Sequence, residues 1–127
     1  MESPLQVLVA DDEVDVKWLF QQRFRREIRA GKLDLHFAHS GEEALDYLRS
    51  GDAVSVVLVL SDINMPGMTG IELLKRIKAE FSDLSVHMIT AYGDDKNFRM
   101  AMEHGADGYM NKPVDFASLK QDVLRLE

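Results

Sequence analysis

At 127 residues and 14.4 kDa the chain is sized for one domain with a core of its own, here read as residues 1–127. Its 46% hydrophobic and 29% charged residues are ordinary for a globular protein, and its net charge of −7 argues against general nucleic-acid binding, which calls for a basic face. The absence of cysteine excludes disulfides and thiolate metal sites, and the longest apolar run, residues 56–60, falls far short of the ~20 residues that span a bilayer. The acidic start M-E-S-P does not read as a secretory signal, so a cytoplasmic location is expected.

In chain order, two kinds of segment alternate. L-Q-V-L-V-A (5–10) is short and apolar and ends in Asp11-Asp12: a strand. Residues 14–30 carry Val16, Phe20, Phe24 and Ile28 four apart, with Gly31 as the C-cap of one long helix. Within it, R-F-R-R-E-I-R reads as a solvated face, and Trp18-Leu19-Phe20 makes the helix bulky. Leu33, Leu35 and Phe37 alternate with polar residues, which predicts a strand near a sheet edge with one face exposed. Ser40-Gly-Glu-Glu43 has capping-box spacing ahead of Ala44, Leu45 and Leu48, the buried stripe of a second helix.

Residues 54–60 are almost wholly apolar and β-branched, the pattern of a central parallel strand covered on both faces. After Asp62 comes the breaker-rich I-N-M-P-G-M-T-G, then a second capping box, Thr69-Gly-Ile-Glu72, and a third helix bearing Ile71, Leu74, Ile77 and Phe81. Residues 86–90 predict a fourth strand ending in Thr90, and Asp94 and Asp95 open a fourth helix to about Glu103. A short fifth strand surrounds Tyr109-Met110, and Asp115 caps a final helix with Phe116, Leu119, Val123 and Leu126 on its stripe. Met88, Met100, Met102 and Met110 read as core filler, and His36, His39, His87 and His104 lack ligand spacing.

Five β-then-α units of roughly 25 residues predict an α/β fold with a doubly wound parallel sheet and five helices. Ligand chemistry in such sheets lies outside the carboxyl ends of the strands. Asp11-Asp12, Asp62, Thr90 and Lys112-Pro113 all fall there. Each has a plain alternative on its own: an acidic helix cap, a turn-capping Asp, a β-favouring Thr, a solvated Lys. Together they form a kit for metal-assisted phosphoryl chemistry. Like charges at ~5 Å cost roughly 3 kcal/mol per pair at an effective dielectric near 20, and a divalent cation turns that repulsion into attraction. All-oxygen ligands that leave waters in place suit Mg2+. A carboxylate such as Asp62 can take a phosphoryl group as a mixed anhydride, and Lys112 can neutralise phosphoryl oxygens.

Taken in order, V-L-V-A-D-D-E, L-V-L-S-D-I-N-M-P-G-M-T-G, I-T-A and Y-M-N-K-P closely resemble the motifs of response-regulator receiver domains of two-component signalling, over essentially the whole chain. That resemblance implies a flavodoxin-like sheet of order 2-1-3-4-5. It implies Asp62 as phosphoacceptor and Mg2+ (with Mn2+ as substitute) held by Asp12, Asp62 and the Asn64 backbone carbonyl, with Asp11 assisting. It also implies phosphoryl contacts from Thr90 and Lys112, and Tyr109 as the aromatic that moves when Thr90 does. Asn64 and Tyr92 fall where the family tunes the lifetime of the phosphoryl group. The implied partners are a histidine kinase or histidine phosphotransfer protein and a downstream output protein or effector domain, signalled through the face of the fourth helix, fifth strand and fifth helix. No turnover of a separate substrate, nucleic acid or membrane is implied. Two rivals are a phosphorylation-independent receiver, which would have lost an acid or the lysine, and a metal-dependent phosphatase, which wants a carboxylate where Asn64 stands.

Overall fold

The structure is a computed structural model that describes residues 3–51, 55–90 and 95–125. Five strands, β1 (Leu5–Ala10), β2 (Leu33–Ala38), β3 (Val56–Asp62), β4 (Ser85–Thr90) and β5 (Gly108–Asn111), form one parallel sheet in the order β2-β1-β3-β4-β5. Side chains alternate across a strand, so each central strand feeds two cores. Val7, Val9, Leu58, Leu60 and Ile89 face one side, and Leu8, Ala10, Val59, Val86 and Met88 face the other. The first side is covered by α1 (Val14–Arg23), α2 (Arg25–Arg29) and α6 (Phe116–Leu124), through Phe20, Phe24, Leu119 and Val123. The second is covered by α3 (Gly41–Arg49), α4 (Gly70–Glu80) and α5 (Asp95–Glu103), through Leu45, Leu74, Ile77 and Ala101.

Among the described residues six helices stand where five were expected, because the first is broken at Phe24, where φ is −102° and ψ is 16°. Neither Pro nor Gly stands there. The turn falls at the ring that enters the core, stacked on Phe20 at 6.1 Å and edge-on to Phe116 at 6.0 Å. The bonds from Phe24 N to Phe20 O and from Ile28 N to Phe24 O carry the helical direction across the break. β2 is an edge strand, as its alternation predicts, but its polar face is not open. His36 stacks on Tyr47 of α3 at 5.3 Å and meets the Gln6 amide, which also donates to Asp34. Met102 is 47% exposed rather than core filler, whereas Met88 is fully buried.

Both capping boxes form on their N-cap side. Ser40 Oγ accepts from Glu43 N at 3.0 Å, and Thr69 Oγ1 accepts from Glu72 N at 3.2 Å. Asp115 likewise accepts from the amides of Ala117 and Ser118. Asp94 and Leu126 lie outside the described residues.

Candidate functional site

The first core strand ends at Ala10, so Asp11 and Asp12 leave the sheet at its carboxyl edge, and Asp62 is the last residue of the neighbouring β3. The strand order reverses between these two strands, since β1 is flanked by β2 and β3. Oxygens of Asp11, Asp12 and Asp62 all lie within 4.8 Å of one another. Asp11 and Asp62 are buried and Asp12 is exposed. Lys112, one residue past β5, brings its Nζ to 3.3 Å from Asp62 Oδ2 and 3.4 Å from Asp11 Oδ2, with Glu13 Oε1 at 3.8 Å. The Lys112-Pro113 peptide is cis, and Lys112 N donates to Thr90 O at 2.7 Å, which ties the end of β5 to the end of β4.

Burial pushes the Asp62 carboxyl above its usual range and the Asp11 charge adds to that, while Lys112 opposes both. The Lys112 ammonium is held above its usual range: partial burial pulls it down, but Asp11 and Asp62 more than offset the loss of solvation. Asp11 Oδ1 is also occupied by the amide of Glu13 at 2.9 Å, so Asp11 shapes the start of α1 as well as the acid cluster. Asp62 Oδ1 accepts from Asn64 N at 3.4 Å. Although 5% exposed, Asp62 borders a cleft of about 520 Å³ between α1 and residues 112–117, so it is reachable from solvent.

Thr90 ends β4 fully buried, and its hydroxyl has no hydrogen-bond partner among the described residues. A buried hydroxyl without a partner costs free energy, and an incoming oxygen would relieve it. Tyr109 pairs in register with Met88, so it shares a sheet face with Thr90 two residues on, and its ring meets Phe98 of α5 edge-on at 4.9 Å. Tyr92 lies outside the described residues.

Two supporting residues escape a reading of motifs. A Cβ on Gly70 would stand 2.1 Å from the Asp62 carbonyl oxygen, so only glycine lets α4 begin against the end of β3, where Gly70 N donates to Ile63 O. Glu42 Oε1 accepts from Met68 N at 3.4 Å and so braces the loop whose turn is made by Gly67 at φ +74°. The sequence signal for Gly70 was its place after the N-cap Thr69. Glu42 carried none beyond its place in the first turn of α3.

A three-carboxylate cluster opposed by one lysine, at the switch point of a parallel sheet, offers the donor set that a hard divalent cation takes. Oxygen-only donors, with buried charge that a cation would neutralise, fit Mg2+. The chain matches the response regulator receiver domain family over residues 7–124, and it belongs to that family. Family members are signalling switches of two-component systems, placed between kinases and outputs, and bind Mg2+ at an acidic pocket. The chain is 35% identical over 109 residues to the DNA-binding transcriptional regulator NtrC of Proteus hauseri, covering 86% of this chain and 22% of that protein. Among solved structures it resembles a CheY-like receiver domain protein of Methanospirillum hungatei JF-1, with TM-score 0.85, 25% identity and coverage of 98% of this chain and 94% of the other. It also resembles the receiver domain of an HD domain-containing protein of Pseudomonas fluorescens Pf-5, with TM-score 0.83, 28% identity and coverage of 98% and 94%. Among the described residues no helix is long and apolar enough to cross a membrane.

Proposed function

We propose that the domain takes a phosphoryl group onto Asp62 from the phosphohistidine of a kinase or phosphotransfer protein and thereby alters the face formed by α5, β5 and α6. The observation that carries this reading is Asp62 itself: a nearly buried carboxylate with Lys112 Nζ at 3.3 Å and two further carboxylates within 4.8 Å. A carboxylate oxygen of Asp62 attacks phosphorus, the phosphorus–nitrogen bond breaks, and the electron pair stays with the imidazole. Lys112 follows the phosphoryl oxygens, and the Thr90 hydroxyl, which has no hydrogen-bond partner among the described residues, donates to one of them. Mg2+, when bound by Asp12, Asp62 and the Asn64 carbonyl with Asp11 assisting, supplies charge neutralisation at the same oxygens. The cluster retains every acid and the lysine, which favours this over a phosphorylation-independent module.

Incubation with Mg2+ and acetyl phosphate should add one acid-stable, base-labile phosphoryl group, seen as a single mass increment mapped to Asp62. Asp62→Ala should remove it. Undiminished labelling of that variant would place the acceptor elsewhere.

A further inference from the structure

The start of α3 reaches across to the loop that follows Asp62, and one of its carboxylates has no task in its own helix. In the capping box Ser40 Oγ accepts from Glu43 N, and Glu43 Oε2 turns back to accept from His39 N at 3.3 Å. Glu42, exposed and just ahead of Glu43, is left over. Its Oε1 accepts instead from Met68 N at 3.4 Å, and its Oε2 lies against Gly67, where a Cβ would stand 2.8 Å away. Beside this contact Met68 packs on the start of the same helix, since a Cβ on Gly41 would meet the Met68 side chain at 3.0 Å. α3 therefore grips residues 67 and 68 twice, by a carboxylate and by close packing. The loop runs from Ile63 to Thr69, and its near limb is fixed by the sheet. Ile63 N donates to Ile89 O at 3.1 Å, Gly70 N donates to Ile63 O at 2.8 Å, and the Ile63 and Met65 side chains are buried. Asn64 is exposed between those two anchors. In the far limb Pro66 and Gly67 are exposed and Met68 is half-buried, and α3 holds it from outside the loop.

We infer that Glu42 is a positioning residue for the divalent cation: by holding residues 67 and 68 it fixes the loop that presents the Asn64 carbonyl, and so sets how tightly Mg2+ binds. The inference rests on the reading of Asp11, Asp12 and Asp62 as a Mg2+ site. A loop carbonyl is an effective ligand only where its backbone is already ordered, because ordering the chain on binding is subtracted from affinity. Groups that stand behind the ligands matter to a metal site for the same reason. Glu42 acts through its acceptor oxygen. Its charge is a separate route, since a carboxylate attracts a cation from a distance. For an exposed group that attraction is screened beyond about 8 Å at physiological ionic strength. Glutamine keeps the acceptor oxygen and lacks the charge, so it tells the two routes apart.

Mg2+ is titrated into the full chain, and the amide shifts of Asp11, Asp12, Asp62 and Asn64 give its dissociation constant. Glu42→Ala should weaken Mg2+ binding about threefold or more, and Glu42→Gln should bind as wild type does. Hydrogen exchange at the Met68 amide, followed in chelator, should be faster in Glu42→Ala than in wild type and slow again in Glu42→Gln. Urea midpoints of the two variants in chelator should lie close together, because both remove the same charge from the first turn of α3. A role confined to stability would separate those midpoints and leave the affinity for Mg2+ alone. Equal Mg2+ affinity in wild type and Glu42→Ala would overturn the proposal. Equal weakening in both variants would also overturn it, by assigning the effect to charge. Wild type that binds no Mg2+ would overturn the proposal together with the cation reading on which it stands, a result distinct from the other two.

Discussion

At the scale of single residues, two titratable groups are held away from their usual ranges by burial. Asp62 is desolvated beside the like charge of Asp11 and only partly repaid by Lys112. Replacing it with Asn keeps the shape and removes the charge, so Asp62→Asn should unfold at higher urea than wild type at neutral pH in chelator. A lower midpoint would mean that the Lys112 pairing outweighs desolvation. His87 sits on β4, against the backbone of Gly108 and on the side of α6. Burial holds its imidazole below the usual range, while Asp122 and Asp107 pull the other way without prevailing. The unfolded chain therefore takes up this proton first as pH falls. Between the usual imidazole pKa and the depressed folded one, the unfolded state binds more protons, and stability drops with falling pH. His87→Gln should flatten the dependence of unfolding free energy on pH in that window, and an unchanged slope would show that another group sets it.

At the scale of elements, what local chemistry decides was legible, and what tertiary contact decides was not. The strand ends carrying Asp11, Asp62, Thr90 and Lys112 could be placed because short apolar runs end abruptly in polar residues. The caps at Ser40, Thr69 and Asp115 were legible because their hydrogen bonds span three residues or fewer. The break at Phe24 was not, since the i, i+4 apolar series runs through it and the cause is a ring packed against Phe20 and Phe116 from another helix. Nor could alternation in β2 reveal that Tyr47 covers His36. Gly70 is the sharpest case. Its need comes from the Asp62 carbonyl, eight residues back, and not from its own backbone angles. Gly70→Ala must shift α4 against the end of β3 and should cost about 1–3 kcal/mol, measured by urea unfolding. A variant as stable as wild type would mean that α4 can start elsewhere without loss.

At the scale of the whole molecule, the proposed signal runs from the acid cluster toward the α5 face on one side of the sheet. Thr90 and Tyr109 lie on the same side of adjacent strands, and Tyr109 rests against Phe98, which is 44% exposed on α5. Under the proposed function, movement of the Thr90 hydroxyl toward an acyl phosphate would vacate space behind it. In the proposed switch Tyr109 would enter that space and shift against Phe98, so that phosphorylation of Asp62 would change the exposed surface of α5. Moving a 1:99 mixture to 99:1 requires about 5.5 kcal/mol of preference, within reach of a few charge-assisted hydrogen bonds from Lys112 and Thr90. The buried hydroxyl, without a partner among the described residues, would add to that preference by gaining one. Thr90→Ala should therefore still be labelled at Asp62 yet fail to remodel α5. Amide NMR of wild type and Thr90→Ala, each with and without beryllofluoride as an acyl-phosphate mimic, separates the two steps. Wild type should show shifts at residues 108–111 and along α5, and the variant should confine them to the neighbourhood of Asp62. Full wild-type shifts in α5 of the variant would mean that the signal reaches this face by a route without Thr90.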